Sequence, residues 1–197
     1  MNITAQQIAE LRAKTGLPMM ECKKALVEAG GDEVRAIEEL KKRGVAKAAS
    51  KSERATKAGL IECYVHNGGK IGVMIEVLAE TDFVTKNDEF KEFVHDLALH
   101  IAAMEPKYLS KDDVPANEVE EEKSIMEGQL KDSGKPQEII EKIVAGKLEK
   151  FYSEICLLNQ GFVKDPEVTI LDLLNQKIAK IGENIVISRF VRYEIGK

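Results

Sequence analysis

The sequence predicts an α+β protein: three short helices, then a core of a three-stranded antiparallel sheet covered by helices, with a helical hairpin. Three observations carry this. Up to residue 44 apolar residues recur at helical spacing and are interrupted at Thr15-Gly16 and Gly30-Gly31. At Gly59 the period changes to that of extended chain, and a run apolar on both faces, Ile71 to Ala79, follows a glycine-rich loop. Helical spacing then returns until a last extended segment, Ile185 to Ile195.

The first helix begins at Thr4, with Gln7 three residues on as a capping box, buries Ile8 and Leu11, and stops at Thr15-Gly16. The second starts at Pro18 and carries Met19, Met20, Cys22, Leu26 and Ala29 up to Gly30-Gly31. Met19 and Met20 are adjacent and point about 100° apart, so one of them is expected to face out. The third helix is capped by Asp32, buries Val34, Ile37 and Leu40, and halts near Gly44. Residues 1–44 thus form a small three-helix module, better suited to docking than to catalysis. Residues 45–58, rich in alanine and lysine, read as a linker that is at least partly helical.

Residues 59–197 form the second part. Leu60 to Val65 is extended, His66-Asn67-Gly68-Gly69-Lys70 makes a hairpin loop, and the strand from Ile71 follows. With apolar residues on both faces, that strand is expected at the centre of a covered sheet. Asn87 caps the next helix, which has Asp88 and Glu89 in its first turn and the stripe Phe90, Phe93, Val94, Leu97, Ala98, Ile101 and Met104. Two helices between about 114 and 158 form the hairpin, joined at Ser133-Gly134-Lys135; the second buries Ile139, Ile140, Ile143, Val144, Leu148, Phe151 and Ile155. A loop with Phe162, Val163 and Pro166 leads to a helix carrying Ile170, Leu173, Leu174, Ile178 and Ile181. Gly182-Glu183-Asn184 then turns into the third strand of the sheet.

Composition excludes several functions. The net charge of -5, the absence of Trp and an aromatic content of 5% leave little to bind nucleic acid directly. The basic run from Lys41 to Lys57 reads first as a solvated helix face. No apolar run reaches the roughly 18 residues of a membrane span, and the amino-terminal residues open an amphipathic helix, so a cytoplasmic protein is expected. Cys22, Cys63 and Cys156 are isolated and read as small buried apolar residues in a reducing compartment. His95 and His100 lie about 140° apart around a helix, which gives no shared metal site. A phosphate cradle and a nucleophile elbow are both missing, and Glu76 and Glu80 would stand about 13 Å apart on one strand, too far to act as paired acids. No cofactor, no metal and no catalytic group are expected.

The segment of most interest is Thr81-Asp82-Phe83-Val84, at the carboxyl end of the central strand. Its residues admit two readings: Phe83 packs beneath the next helix with Asp82 forming the turn, or both stand exposed as a wedge against a partner. Preceded by Glu80, this tetrapeptide resembles the signature of the bacterial elongation factor Ts family. Thr15-Gly16-Leu17-Pro18-Met19-Met20-Glu21-Cys22-Lys23-Lys24-Ala25-Leu26 resembles the family's first signature, with Leu17-Pro18 where small residues are usual and Glu21 for Asp. Ala179-Lys180-Ile181-Gly182-Glu183-Asn184-Ile185 is similar to a third element of the family.

The resemblance spans nearly the whole chain and is to the short form with a single core unit. It implies a ubiquitin-associated-like bundle at the amino terminus. The implied function is guanine-nucleotide exchange on elongation factor Tu, in its GDP-bound and nucleotide-free states. Thr81, Asp82, Phe83 and Val84 would displace the elements holding the partner's Mg²⁺, Met19 and Met20 would dock, and His66, Ile181 and Gly182 are further contact candidates. It also implies a homodimer; the last strand reads Arg189-Phe190-Val191-Arg192, without the cysteine that bridges some short forms, so the dimer would be non-covalent. Two other readings of the residues stand beside this one: an interaction module whose ubiquitin-associated-like bundle recognises another protein, and a hydrolase, for which no site meets the geometric requirements.

Overall fold

The computed structural model describes residues 3–130 and 136–197. Within them the chain forms α1 (Ala5–Thr15), α2 (Met19–Glu28), α3 (Glu33–Ala49), β1 (Ala58–His66), β2 (Ile71–Ala79), α4 (Asp82–Lys86), α5 (Asp88–Met104), α6 (Ala116–Leu130), α7 (Gln137–Ile155), β3 (Gly161–Phe162), β4 (Asp165–Thr169), α8 (Ile170–Ile181) and β5 (Ile185–Glu194). The architecture is α+β: β1, β2 and β5 form an antiparallel sheet in the order β1-β2-β5, so β2 is its central strand. The chain divides into two compact units. One holds Met1–Leu60, Val77–Lys91 and Asp172–Val186; the other holds Ile61–Glu76, Glu92–Leu171 and Ile187–Lys197.

In the first unit α1 starts as its sequence requires. Thr4 Oγ1 accepts from the Gln7 N–H at 3.2 Å and the Gln7 side chain accepts from the Thr4 N–H at 2.9 Å, which satisfies donors a helix start leaves open. Gly16, at φ +66°, ends the helix with its N–H on the Arg12 carbonyl. Ile8, Leu11, Cys22, Ala25, Leu26, Ala36 and Leu40 form the core of the three helices. α3 does not halt at Gly44. Its inward line is Ala36, Leu40, Gly44 and Ala48, spaced by one helical turn, while Val34 is turned to solvent. Gly44 faces α8: a Cβ placed there would make an ordinary contact, 3.8 Å from the Ala179 Cβ.

Three members of the basic run, Arg43, Lys47 and Arg54, pair with carboxylates within this unit. Arg43 pairs with Glu28 and Glu39, Lys47 with Glu21 at 2.7 Å, and Arg54 with Glu80 at 3.5 Å.

In the second unit the hairpin between β1 and β2 turns through Asn67, Gly68 and Gly69 at φ 53°, 64° and 90°, a left-handed run that glycine adopts readily. The part of β2 in this unit is covered on one face only: Val73 and Ile75 are buried, whereas Met74 is about half exposed, so its apolar second face does not mean a second layer over it. α5, whose head up to Lys91 with Phe90 belongs to the first unit, buries Phe93, Val94, Leu97, Ala98 and Ile101 here and Phe90 there, as its spacing predicts, but Met104, the last residue of the helix, is exposed. α6 and α7 pack together; Ile139 near the start of α7 is exposed, and the joint expected at Ser133-Gly134-Lys135 lies outside the described residues. The stretch expected as a loop around Phe162 is a two-stranded ribbon, with Phe162 opposite Asp165 and Gly161 opposite Thr169.

His100 is fully buried and fully satisfied. Its Nε2 lies 3.0 Å from Gln160 Oε1, and its Nδ1 accepts the Val163 N–H at 3.1 Å. The backbone donor fixes the tautomer: Nε2 carries the proton and Nδ1 does not. Gln160 passes its own amide hydrogens to the Met104 and Glu154 carbonyls. Of the cysteines, Cys22 and Cys156 are buried as expected and Cys63 is exposed, because it lies on the uncovered face of β1.

Candidate partner-binding site

The site is built where β2 ends. The strand stops at Ala79, and the tetrapeptide that follows it does not run on as extended chain: Thr81 is extended and Asp82–Lys86 closes into the short helix α4. This turn of helix was not expected from the sequence. Asp82 in its first turn and Lys86 in its last complement the helix dipole, and the two side chains pair at 2.6 Å. The hydrogen bond and charge of Lys86 hold the Asp82 carboxyl below its usual range, so it is a carboxylate at neutral pH. The Thr85 hydroxyl donates to the Asp82 carbonyl at 3.0 Å, and Asn87 begins α5, its Oδ1 accepting the Glu89 N–H at 2.9 Å.

Phe83 is 82% exposed. No residue of α4 is buried, so of the two readings of this segment the structure excludes the core one: Phe83 does not pack beneath α5, whose first inward aromatic is Phe90. Val84 is half-buried and Asp82 is exposed.

The helix is tied down at its start. The Thr81 N–H donates to Glu183 Oε2 at 3.0 Å and the Thr81 hydroxyl to Glu183 Oε1 at 2.7 Å. One residue to either side the bond runs the other way, with the Asn184 N–H donating to Glu80 Oε1 at 2.6 Å. Asn184 is itself buried and donates its side-chain amide to the carbonyls of Arg54 (2.9 Å) and Ser52 (3.4 Å). Gly182, at φ +88°, ends α8 with its N–H on the Ile178 carbonyl at 2.9 Å, and its own carbonyl accepts from Lys51. At the head of α5, burial pushes the Glu89 carboxyl up, but hydrogen bonds from Lys180 and Lys177 outweigh this and hold it low.

The structure therefore brings Thr81, the residue that opens α4, against the turn after Ile181 and Gly182, although 102 residues separate Thr81 from Glu183 in the chain; no contact of Asp82 or Phe83 with that turn is seen among the described residues. Met19 and Met20 belong to the same unit. Both, not one of them, face outward, at 51% and 72% exposure, because Cys22, Ala25 and Leu26 take the whole inward face of α2. His66 belongs to the other unit. There it is exposed, stacked on Tyr64 with ring centroids 5.8 Å apart, and its Nδ1 lies 3.0 Å from the Tyr64 hydroxyl.

Residues that sequence reasoning did not single out are Glu80, Glu183 and Asn184, which fasten the two turns together. Their signal was present, a glutamate followed by a small polar residue in each of two segments, but nothing local says that the two would meet.

The sequence matches the family described as Elongation factor TS over residues 2–197. The chain belongs to that family. Among relatives named Elongation factor Ts, the protein of Alkaliphilus oremlandii is 58% identical over 197 residues, covering 100% of this chain and 91% of its own. That of Fervidobacterium nodosum is 57% identical over 197 residues and covers 100% of both chains, and that of Acetivibrio thermocellus is 55% identical over 195 residues, 99% of this chain and 91% of its own. Family membership places the chain among the elongation factors of protein biosynthesis. Among the described residues no cluster of three or more His, Cys, Asp or Glu side chains is arranged to hold a metal ion, and no helix is long and apolar enough to cross a membrane.

Proposed function

We propose that the protein is a guanine-nucleotide exchange factor that promotes GDP release from elongation factor Tu during translation elongation. The observation that carries this reading is Phe83, a large apolar side chain held out to solvent on a short helix that is tethered at its start and runs directly into α5. An exposed aromatic on a fixed mount is suited to insertion into a partner.

The action needs no covalent chemistry, and the protein is not an enzyme in this reading. The partner's nucleotide is held by a phosphate loop and by Mg²⁺ bridging its phosphates. Phe83 acts as the wedge against the elements beside that ion, and the Asp82 carboxylate, exchanging Lys86 for a group on the partner, is their polar counterpart. Thr81 and Val84 frame the wedge. Binding that favours the nucleotide-free partner must weaken nucleotide binding by the same factor that nucleotide weakens it.

The three-helix module of residues 1–44 docks on the partner, with the outward pair Met19 and Met20 as a soft apolar contact. Residues 45–58 link it to a core and dimerisation domain, residues 59–197. His66, Ile181 and Gly182 add contacts. The protein works in the cytoplasm as a homodimer without an intersubunit disulfide, and binds neither nucleic acid nor membrane.

The test is release of fluorescent GDP from elongation factor Tu, with the protein present well below the concentration of its partner. Faster release at substoichiometric amounts, together with a nucleotide-free complex that added GDP dissociates, is expected. A release rate that does not change with the protein's concentration contradicts the reading.

A further inference from the structure

We infer that Glu183 is a positioning residue for the exchange surface: by holding Thr81 it sets the orientation of α4, and so of Phe83, before any partner arrives. This rests on the exchange reading above. Thr81 stands at the position where a threonine ordinarily caps its own helix by accepting a backbone N–H from the first turn. It makes no such cap. Its hydroxyl donates to one oxygen of Glu183 at 2.7 Å and its N–H to the other at 3.0 Å, so both oxygens of one carboxylate are devoted to a single residue.

The bond between Asn184 N–H and Glu80 Oε1, at 2.6 Å, completes a reciprocal clasp. In each segment the glutamate side chain accepts the backbone N–H of the residue that follows the other glutamate. The clasp is anchored from behind by buried Asn184, whose amide reaches the Arg54 and Ser52 carbonyls.

The clasp matters because little else orients α4: only Val84 and Thr85 are partly buried. None of its residues is buried, and its other polar bonds are internal, from Lys86 and Thr85 to Asp82. A helix of five residues is far below the length that holds itself together in water. Its direction is therefore set largely at its ends: by the chain running into α5 on one side and by Thr81, through Glu183, on the other. Loosening the Thr81 end lets Phe83 sweep a range of directions, and the ordering must then be supplied on each encounter with the partner.

The experiment measures GDP release from elongation factor Tu against concentration of the full-length protein, resolved into a maximal rate and a half-saturating concentration. It compares wild type, Glu183→Ala, Glu183→Gln, Phe83→Ala and the double variant Glu183→Ala/Phe83→Ala. Glu183→Ala is expected to lower the maximal rate about tenfold and to shift half-saturation by less than about twofold, the pattern of lost pre-organisation with the docking contacts kept. Glu183→Gln restores most of the rate, because its amide offers an oxygen to the Thr81 N–H and an N–H to the Thr81 hydroxyl. In the Phe83→Ala background Glu183→Ala changes nothing further, since the residue acts through Phe83.

If Glu183→Ala does not fold, Thr81→Val, which deletes the hydroxyl half of the clasp, carries the same comparison in both backgrounds. An undiminished rate in Glu183→Ala, an equal loss with and without Phe83, or a Glu183→Gln no better than the alanine variant overturns the positioning role alone. Wild type that leaves GDP release unchanged overturns the exchange reading, and this inference with it.

Discussion

Phe83→Ala and Phe90→Ala remove the same side chain seven positions apart in one compact unit, and the structure demands opposite consequences. Phe83 is 82% exposed and Phe90 is 0% exposed. Fully burying a side chain of this size contributes about 1.5–3 kcal/mol, so the buried fifth of Phe83 contributes about 0.3–0.6 kcal/mol. Alanine is the better helix former by about 0.5 kcal/mol at such an exposed position, which offsets that loss. Phe83→Ala is therefore expected to leave the unfolding free energy within about 0.5 kcal/mol of wild type. Phe90→Ala loses the transfer free energy and leaves a cavity, and is expected to cost about 3–5 kcal/mol. Urea unfolding at 25 °C, followed by circular dichroism and fitted with a common slope, measures both. A cost above about 1.5 kcal/mol for Phe83→Ala would mean that the ring packs in solution and would refute the argument that it is free to enter a partner.

Further consequences follow from other parts of the molecule. Gly161→Ala places a Cβ 2.7 Å from the Pro166 carbonyl oxygen across the β3–β4 ribbon, and is expected to cost about 1–3 kcal/mol by the same urea measurement. Gly128→Ala in α6 meets nothing within 4 Å, and is expected to stabilise by up to about 1 kcal/mol. Burial holds the His100 imidazole below its ordinary 6.5, against the opposing hydrogen bond of Gln160. Its folded value lies below its unfolded one, so the stability tied to the neutral ring is complete above about pH 6.5 and is lost as the pH falls through the folded value. An NMR titration midpoint above 6.5 would contradict this. Ellman's reagent should modify Cys63 quickly in the native protein, whereas Cys22 and Cys156 wait for unfolding; burial pushes the Cys156 thiol up to about 11, which leaves little thiolate to react.

Most of the helices were legible because their signals are local. Thr4 and Gln7 cap α1 as their spacing implies, Gly16 ends it, and the stripe from Phe90 to Ile101 is buried as its period requires. What failed to read from the sequence depended on distant contacts. Gly44 looks like a stop, yet α3 runs through it to Ala49, with Gly44 on its buried line facing Ala179, a residue far along the chain. Met74 and Leu78 made β2 look covered on both faces, but apolar residues alone do not say whether anything lies over them. The segment Asp82–Lys86 is too short to show a helical period, so the turn of helix that aims Phe83 was invisible. The exposed aromatic was identified from its motif; the clasp of Glu80, Thr81, Glu183 and Asn184 that holds it joins two segments a hundred residues apart, and only the folded chain brings them together.

The most direct test of the central claim separates binding from exchange in Phe83→Ala. Affinity for nucleotide-free elongation factor Tu and the maximal rate of GDP release would be measured on the same preparation. The account predicts that the variant still binds but releases GDP about a hundredfold more slowly than wild type, a loss of about 2.7 kcal/mol. A folded Phe83→Ala that drives release at the wild-type rate would contradict it.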